Sequence, residues 1–312
     1  MKKYMMLTAG ALFALSLAAC SADKVAEPSP TKAETTQAAE ATQTIAYLGE
    51  TYELTADVQR IVAGSYEVLE DMVAMDIEPA GVFDITDAPD YLQHVKAASI
   101  GDIIAPSAEA TMLIEPDVIL GTKRWQPETI EQLEKVQTII PYSQEPMDWK
   151  DNLKLLGQLT NNETTAQSLI DDYHTKVKQV PVSIKEKLAD ESALLIRYRK
   201  SLYIYPEDVY FNPVLYQDLG MTAPAVVKAT TQQAELSFEA LAQLNPSILL
   251  LQIPAADSEK VVADLKNDPV FKNLDAVKND RFYVNLIDPA AIGGTVLSKN
   301  LFLDAFLEKV AN

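Results

Sequence analysis

The stretches Ser107-Ala-Glu-Ala-Thr-Met-Leu-Ile-Glu-Pro-Asp-Val-Ile-Leu120 and Ser237-Phe-Glu-Ala-Leu-Ala-Gln-Leu-Asn-Pro-Ser-Ile-Leu-Leu250 decide the fold. In each, a serine stands nine residues and a glutamate seven residues before a proline, and an apolar run follows. The pattern predicts a helix over Ala108 to Ile114 leading into a strand over Val118 to Leu120. In the second copy it predicts a helix over Phe238 to Gln243 and a buried strand over Ile248 to Gln252. Upstream of each copy a Leu-rich helix runs to a methionine and then a proline: Leu69 to Met75 to Pro79, and Leu215 to Met221 to Pro224. Two matches in the same order imply two similar lobes.

Working outward, short apolar runs alternate with helix-like stretches. Ile45 to Tyr47, Gln59 to Val62, Ala80 to Phe83 and Thr138 to Ile140 read as strands of the first half. Leu194 to Tyr198, Leu202 to Tyr205 and Arg281 to Asn285 read as strands of the second. Val68 to Met75, Gln126 to Lys135 and Pro213 to Leu219 read as helices. Such alternation defines an α/β protein with largely parallel sheets. Between the halves, Thr160-Asn-Asn-Glu163 has the form of a capping box. Ala166, Leu169, Ile170, Tyr173 and Val177 follow at helical spacing. The expectation is one helical crossover over 161–188, interrupted or kinked at Pro181, between an N-terminal lobe 44–160 and a C-terminal lobe 189–312. A single helical link limits hinge closure to modest movement. The alternative places this helix inside one larger domain.

The chain starts as a sorting signal. Lys2 and Lys3 precede an apolar run from Met5 to Ala19, too short to span a bilayer comfortably as a mature helix. The run ends at Leu17-Ala18-Ala19-Cys20, which holds the only cysteine. Small residues directly before Cys look like a bacterial lipobox. That implies a signal peptide over 1–19, a lipidated Cys20 and anchoring on the extracytoplasmic face of the cell membrane. An ordinary secretory peptide with an incidental Cys is the other reading. Acylation of Cys20 leaves no thiol for a disulfide, a metal or a nucleophile. Residues up to 43 carry almost no large apolar side chain and read as a flexible tether. The net charge of -19 argues against a nucleic-acid partner.

Open α/β sheets bind ligands beyond the carboxyl ends of their strands. Arg124 and Trp125 follow the strand ending at Leu120, and Tyr142 follows Thr138 to Ile140. Arg197 and Arg199 close the strand begun at Leu194, with Tyr203, Tyr205 and Tyr210 beyond. Of the five arginines, Arg60, Arg124, Arg197, Arg199 and Arg281, three therefore sit at strand exits. Their guanidinium forks match anionic oxygens, and the aromatic rings add flat amphipathic surface. Each has a structural alternative: surface ion pairs for the arginines, helix-start packing for Trp125, core packing for Tyr203 and Tyr205. His94 and His174 are the only histidines and stand far apart, so no metal cluster is visible. No Gly-x-Ser-x-Gly elbow, phosphate loop or His-Glu-x-x-His occurs.

These pieces resemble the ferric-siderophore and vitamin B12 class of ABC-importer substrate-binding proteins in their lipoprotein form. The resemblance rests on the lipobox, Ile100-Gly-Asp102 running to Ser107-Ala-Glu109, Ile114-Glu-Pro116, the linker helix and Leu194-Leu-Ile-Arg197. It continues through Leu215-Tyr-Gln-Asp-Leu-Gly220 and Leu236-Ser-Phe-Glu239 to Asn245-Pro246, and it spans about 45–312. It implies two Rossmann-like lobes joined by a long helix, with a ligand held between them by a monomeric, non-enzymatic receptor. It also implies that Glu109 and Glu239 dock on arginines of an ABC permease, although both also suit a helix start without any partner. The implied ligand is an anionic Fe(III)-siderophore, of carboxylate or hydroxamate type. The protein would grip its organic shell, so neither a protein metal ligand nor a cofactor is required. Cobalamin or haem are alternative ligands, and an enzyme or adhesive lipoprotein on the same scaffold is a further one. The segment Asp288-Pro-Ala-Ala-Ile-Gly-Gly294 departs from the family by lacking an aromatic residue, which leaves any ligand contact there open.

Overall fold

A computed structural model describes residues 41–311. The expected signal peptide, the expected lipidation at Cys20 and the expected tether as far as residue 40 lie outside the described residues. The first element among the described residues is an antiparallel hairpin, β1 (Thr42–Tyr47) and β2 (Glu50–Thr55). Its two-residue turn puts Leu48 and Gly49 at φ 48° and 88°, the backbone that matches the twist of paired strands.

The N-terminal lobe follows: β3 (Ile61–Ala63), α1 (Tyr66–Ala74), β4 (Gly81–Val82), β5 (Ala98–Ser99), α2 (Ala108–Ile114), β6 (Val118–Gly121), α3 (Pro127–Glu134) and β7 (Ile139–Pro141). Its five strands are all parallel, in the order β5-β4-β3-β6-β7. Strands β3 and β6 are buried along their whole length, as a parallel sheet covered on both faces requires. Three helices then carry the chain across: α4 (Trp149–Leu159), α5 (Glu163–Gln179) and α6 (Val182–Ala189). The C-terminal lobe contains β8 (Ala193–Tyr198), β9 (Leu202–Ile204), a π turn at Val214–Asp218, α7 (Ala225–Ala229), β10 (Ala234–Glu235), α8 (Phe238–Leu244) and β11 (Ile248–Gln252). It ends with α9 (Ser258–Asn267), α10 (Asp275–Lys278), β12 (Phe282–Val284) and α11 (Val296–Phe306). Here the order is β10-β9-β8-β11-β12, with β8, β11 and β12 parallel, β9 antiparallel to β8, and β10 antiparallel to β9.

The internal repeat holds to atomic detail. Ser107 and Ser237 each accept a hydrogen bond at 3.1 Å from the amide three residues on, Ala110 and Ala240. Both helices then end on a left-handed residue, Glu115 at φ 49° and Asn245 at φ 40°. The expected capping box at Thr160 does not form. Helix α4 runs into Thr160, whose hydroxyl bonds back to the Leu156 carbonyl at 2.8 Å. Asn161 turns left-handed at φ 52°, and Asn162 becomes the N-cap of α5. The crossover is interrupted rather than kinked: α5 ends before Val180, and Pro181 opens α6.

Helix α11, which the sequence pattern did not reveal, packs on α1, α5 and the π turn. Polar groups fasten it. Buried Lys299 pairs with Asp218 at 3.1 Å and lies over the rings of Tyr173 and Trp149 at 5.0 and 5.7 Å. The Tyr173 hydroxyl also donates to Asp218 at 2.6 Å. On the other side, the fully buried Glu70 of α1 accepts hydrogen bonds from Tyr91 at 2.7 Å and from Thr295, the N-cap of α11. No helix among the described residues is long and apolar enough to cross a membrane.

Burial pushes the Glu70 carboxyl from its ordinary 4.5 up to about 7, against the downward pull of its hydrogen bonds. Asp71 beside it is pushed up by the same cause. The folded value lies above the unfolded one, so this contribution to stability is complete below about pH 4.5 and is lost as pH rises through 7. The loss is on the order of 3 kcal/mol. Urea unfolding midpoints are expected to fall between about pH 5 and about pH 8, and Glu70→Gln is expected to flatten much of that fall. An unchanged slope in the variant would refute the assignment to Glu70.

Candidate functional site

A cleft of about 560 Å3 lies where strand ends from both sheets converge, a size typical of a small-ligand site. The N-terminal lobe contributes Tyr66 and Glu67 after β3, Ile104 after β5, Arg124 after β6, and Gln144 and Pro146 after β7. The C-terminal lobe contributes Arg197 and Arg199 at the end of β8, then Tyr205, Val209 and Tyr210 after β9. Gln233 and the 290–293 segment complete it. Each parallel strand that reaches the cleft does so by its carboxyl end, as the fold class requires.

Arg124, Arg197 and Arg199 thus face one hollow. None of them forms an ion pair among the described residues, whereas Arg60 pairs with Glu115 and Arg281 with Glu191. The surface ion-pair alternative for the three cleft arginines is therefore not what the structure contains. Arg197 lies over the Tyr210 ring at 4.5 Å, an orientation that holds the guanidinium without using its N–H groups. Tyr210 is itself fixed in a left-handed conformation at φ 63°, and its hydroxyl donates to the Ala291 carbonyl at 3.2 Å. Gly293 also has positive φ, and a Cβ there would meet the Tyr210 carbonyl carbon at 2.8 Å, so the close approach requires glycine. Burial pushes the Tyr210 phenol up, against the pull of Arg197, so the ring stays neutral. Tyr205 packs 5.6 Å from Tyr210 and donates to Gln233 at 3.0 Å.

Three expected residues lie elsewhere. Trp125 is 3% exposed; its ring closes over Gly64 and Gly121, and its Nε1–H donates to the Ile103 carbonyl at 2.8 Å. It is a core residue because the two glycines leave a ring-shaped gap over β3 and β6. Tyr142 is 1% exposed and donates to buried Asp71 at 2.9 Å, which turns its hydroxyl into the lobe. Tyr203 packs on the sheet core beside Arg197 in register and does not line the cleft. Glu109 and Glu239 are exposed on α2 and α8, away from the cleft lining. Cys20 lies outside the described residues.

Sequence reasoning missed Glu67, Gln144 and Thr122. The Arg124 amide donates to Thr122 Oγ1 at 3.1 Å, Thr122 Oγ1 donates to Gln144 Oε1 at 2.6 Å, and Gln144 Nε2 donates to Glu67 Oε2 at 3.0 Å. This chain ties three strand exits together and steadies the turn that carries Arg124. No spacing rule announces it, because its members come from the first turn of α1 and from two separate loops. The aromatic-free segment after Asp288 does reach the cleft, through Ala290, Ile292 and Gly293. Among the described residues no three His, Cys, Asp or Glu side chains gather as a metal site.

Two α/β lobes with an arginine-lined cleft at their strand ends define a solute-binding protein. The chain matches the periplasmic binding protein family over residues 61–285 and belongs to it, a family of receptors that hold solutes without turning them over. It is 38% identical, over 99% of each chain, to the iron-uptake system-binding protein of Bacillus subtilis (strain 168). It is 24% identical to the probable siderophore-binding lipoprotein YfiY of the same organism, over 74% of this chain and 76% of that one. Among solved structures it is similar to the triscatecholate siderophore-binding protein FeuA of B. subtilis complexed with ferri-bacillibactin. That match has a TM-score of 0.77 and 39% identity, and it covers 86% of this chain and 97% of the other.

Trp125→Phe removes the Nε1–H bond and part of the filler over the two glycines. It is expected to lower stability by about 1–3 kcal/mol in urea unfolding while leaving the affinity for any cleft ligand unchanged. A selective loss of affinity would return Trp125 to the binding site.

Proposed function

We propose that this protein is a lipid-anchored extracytoplasmic receptor that captures a ferric siderophore and hands it to an ABC importer. The observation that carries this reading is the set of three guanidinium groups, drawn from both lobes, that share one cleft and lack carboxylate partners. In a chain of net charge -19, arginines left without partners have their N–H groups free for an anionic ligand. The relative that binds ferri-bacillibactin supports the same direction.

Charge selects among chelates. A ferric tris-hydroxamate core is neutral and gains little from three cations. A ferric tris-catecholate is a trianion, and each of its faces offers oxygens to a guanidinium fork. We therefore take the ligand to be an anionic ferric catecholate in place of the carboxylate or hydroxamate chelate suggested by the sequence. Tyr66, Tyr205 and Tyr210 offer flat surface to the catechol rings. Cobalamin and haem, with their large apolar faces, match this cation-lined cleft less well. In the same reading Cys20 carries the anchor, Glu109 and Glu239 face the permease, the lobes are 44–160 and 189–312 joined through 161–188, and the receptor acts as a monomer.

Fluorescence quenching by ferric bacillibactin tests the cleft. Arg124→Gln, Arg197→Gln and Arg199→Gln are each expected to weaken binding about 10- to 100-fold. The wild-type affinity should fall with added salt. Wild-type affinity in all three variants would reject the cleft assignment. Cys20→Ala, followed by fractionation, is expected to move the protein from the membrane to the soluble fraction; retention in the membrane would reject the anchor.

A further inference from the structure

Helices α2 and α8 are the two copies of the repeat, so each serves as a control for the other. Their caps, their left-handed ends and the burial of successive positions correspond. Their exposed faces do not. On α2, Glu109, Met112 and Leu113 stand at i, i+3 and i+4 and so share one face. Met112 is 57% exposed and Leu113 82% exposed. On α8 the matching positions are Glu239, Ala242 and Gln243, small and polar. The difference recurs before the glutamate: Ala108 on α2 corresponds to Phe238 on α8, and Phe238 and Glu239 line a hollow of about 460 Å3. One lobe thus presents a glutamate beside a convex apolar shoulder, and the other a glutamate at the edge of a recess.

Among the described residues six large apolar side chains are exposed: Leu48, Ile104, Met112, Leu113, Met147 and Val182. Ile104 faces the ligand cleft. Met112 and Leu113 are the only adjacent pair among them, and they share one helical face with Glu109, which has no ion-pair partner among the described residues. Leaving both in water forgoes the stabilisation that burial of either would give, and such pairs mark contact surfaces.

We propose that Met112 and Leu113 enter an apolar socket on the extracytoplasmic face of the permease, next to the basic residue that meets Glu109, and that this contact fixes which lobe faces which half of the importer. This rests on the docking role of Glu109 and Glu239 proposed above. Two glutamates on matched helices allow a receptor to seat in either of two orientations. An apolar shoulder on one side and a recess on the other permit only one, because the reversed orientation leaves the shoulder against polar surface. The occupant is a membrane protein carrying a cation flanked by aliphatic side chains: Glu109 complements the cation, and the shoulder complements the aliphatic surface.

The test transplants the α8 face onto α2 with Met112→Ala and Leu113→Gln together, in the full-length protein of the cell that makes it. Radiolabelled iron supplied as ferric bacillibactin at sub-saturating concentration is expected to enter about tenfold more slowly or worse. Ferric bacillibactin binding to the purified variant, read by fluorescence quenching, should stay at the wild-type value. The control Ala242→Ser with Gln243→Ser should transport normally. Normal uptake by the α2 variant, alongside blocked uptake in Glu109→Ala with Glu239→Ala, would overturn the shoulder and leave the docking role intact. Normal uptake in both would reject the docking role and the shoulder with it. A parallel loss of ligand binding would also overturn the inference, as would a wild-type dimer in sedimentation that the α2 variant abolishes, since the occupant would then be a second copy of this chain.

Discussion

The relation between the two lobes depends on polar groups that have no access to water and therefore need partners. Lys299 has one ammonium to satisfy inside a helix cluster, and Asp218 is the carboxylate within reach. Glu70 is wholly buried and is met by the hydroxyls of Tyr91 and Thr295. Removing one member of a buried polar pair costs several kcal/mol, whereas sliding an apolar contact costs little. Helix α11 is fastened at both ends of this arrangement, to α1 on one side and to α5 and the π turn on the other. The lobes are accordingly braced by a packed spine and not by the crossover helix alone. That bracing keeps Arg124 on the same hollow as Arg197 and Arg199, although more than seventy residues of sequence separate them.

The partition of the arginines follows from the same reasoning. Arg60 has found a carboxylate at the surface, at 3.1 Å, and Arg281 has found the half-buried Glu191. The three at strand exits have not, in a chain with 45 acidic residues. The fold achieves this by burying or tying up the nearby acids. Asp71 is enclosed against Tyr142, and Glu67 is held by Gln144. A long-range field of negative sign therefore surrounds a short-range patch of positive sign. Beyond a Debye length of about 8 Å the wider field is screened, so the patch sets the local potential of the cleft.

Much of this was legible in the sequence, and the parts that were not have physical causes. The repeat at Ser107 and Ser237 could be read because capping, helix and strand follow in one short stretch. The cleft arginines could be read because parallel strands present their carboxyl ends to ligands. Trp125 and Tyr142 were misplaced for the same reason: a strand exit is also where an aromatic ring covers the sheet, and only the glycines at 64 and 121 or the acid at 71 show which use applies. Helix α11 escaped because Val296 to Phe306 is apolar on most sides, so no stripe stood out. The capping box failed because a competing helix, α4, had already claimed Thr160.

The scaffold and the ligand site are written at different positions, and this explains how far homology reaches. Ile61, Val62, Val118 and Ile119 make the N-terminal sheet, and Leu194 and Leu249 make its counterpart; any receptor of this architecture can use such residues. The chemistry begins one to three residues later, where the backbone leaves the sheet and side chains meet water. A change of Arg124 or Arg197 would leave the cores untouched and alter the charge that a ligand must carry. Shared fold therefore fixes where a solute sits, between strand ends of opposite lobes, while the choice of solute rests on a few unpaired groups there. In this chain the groups at those strand exits are guanidinium and phenol.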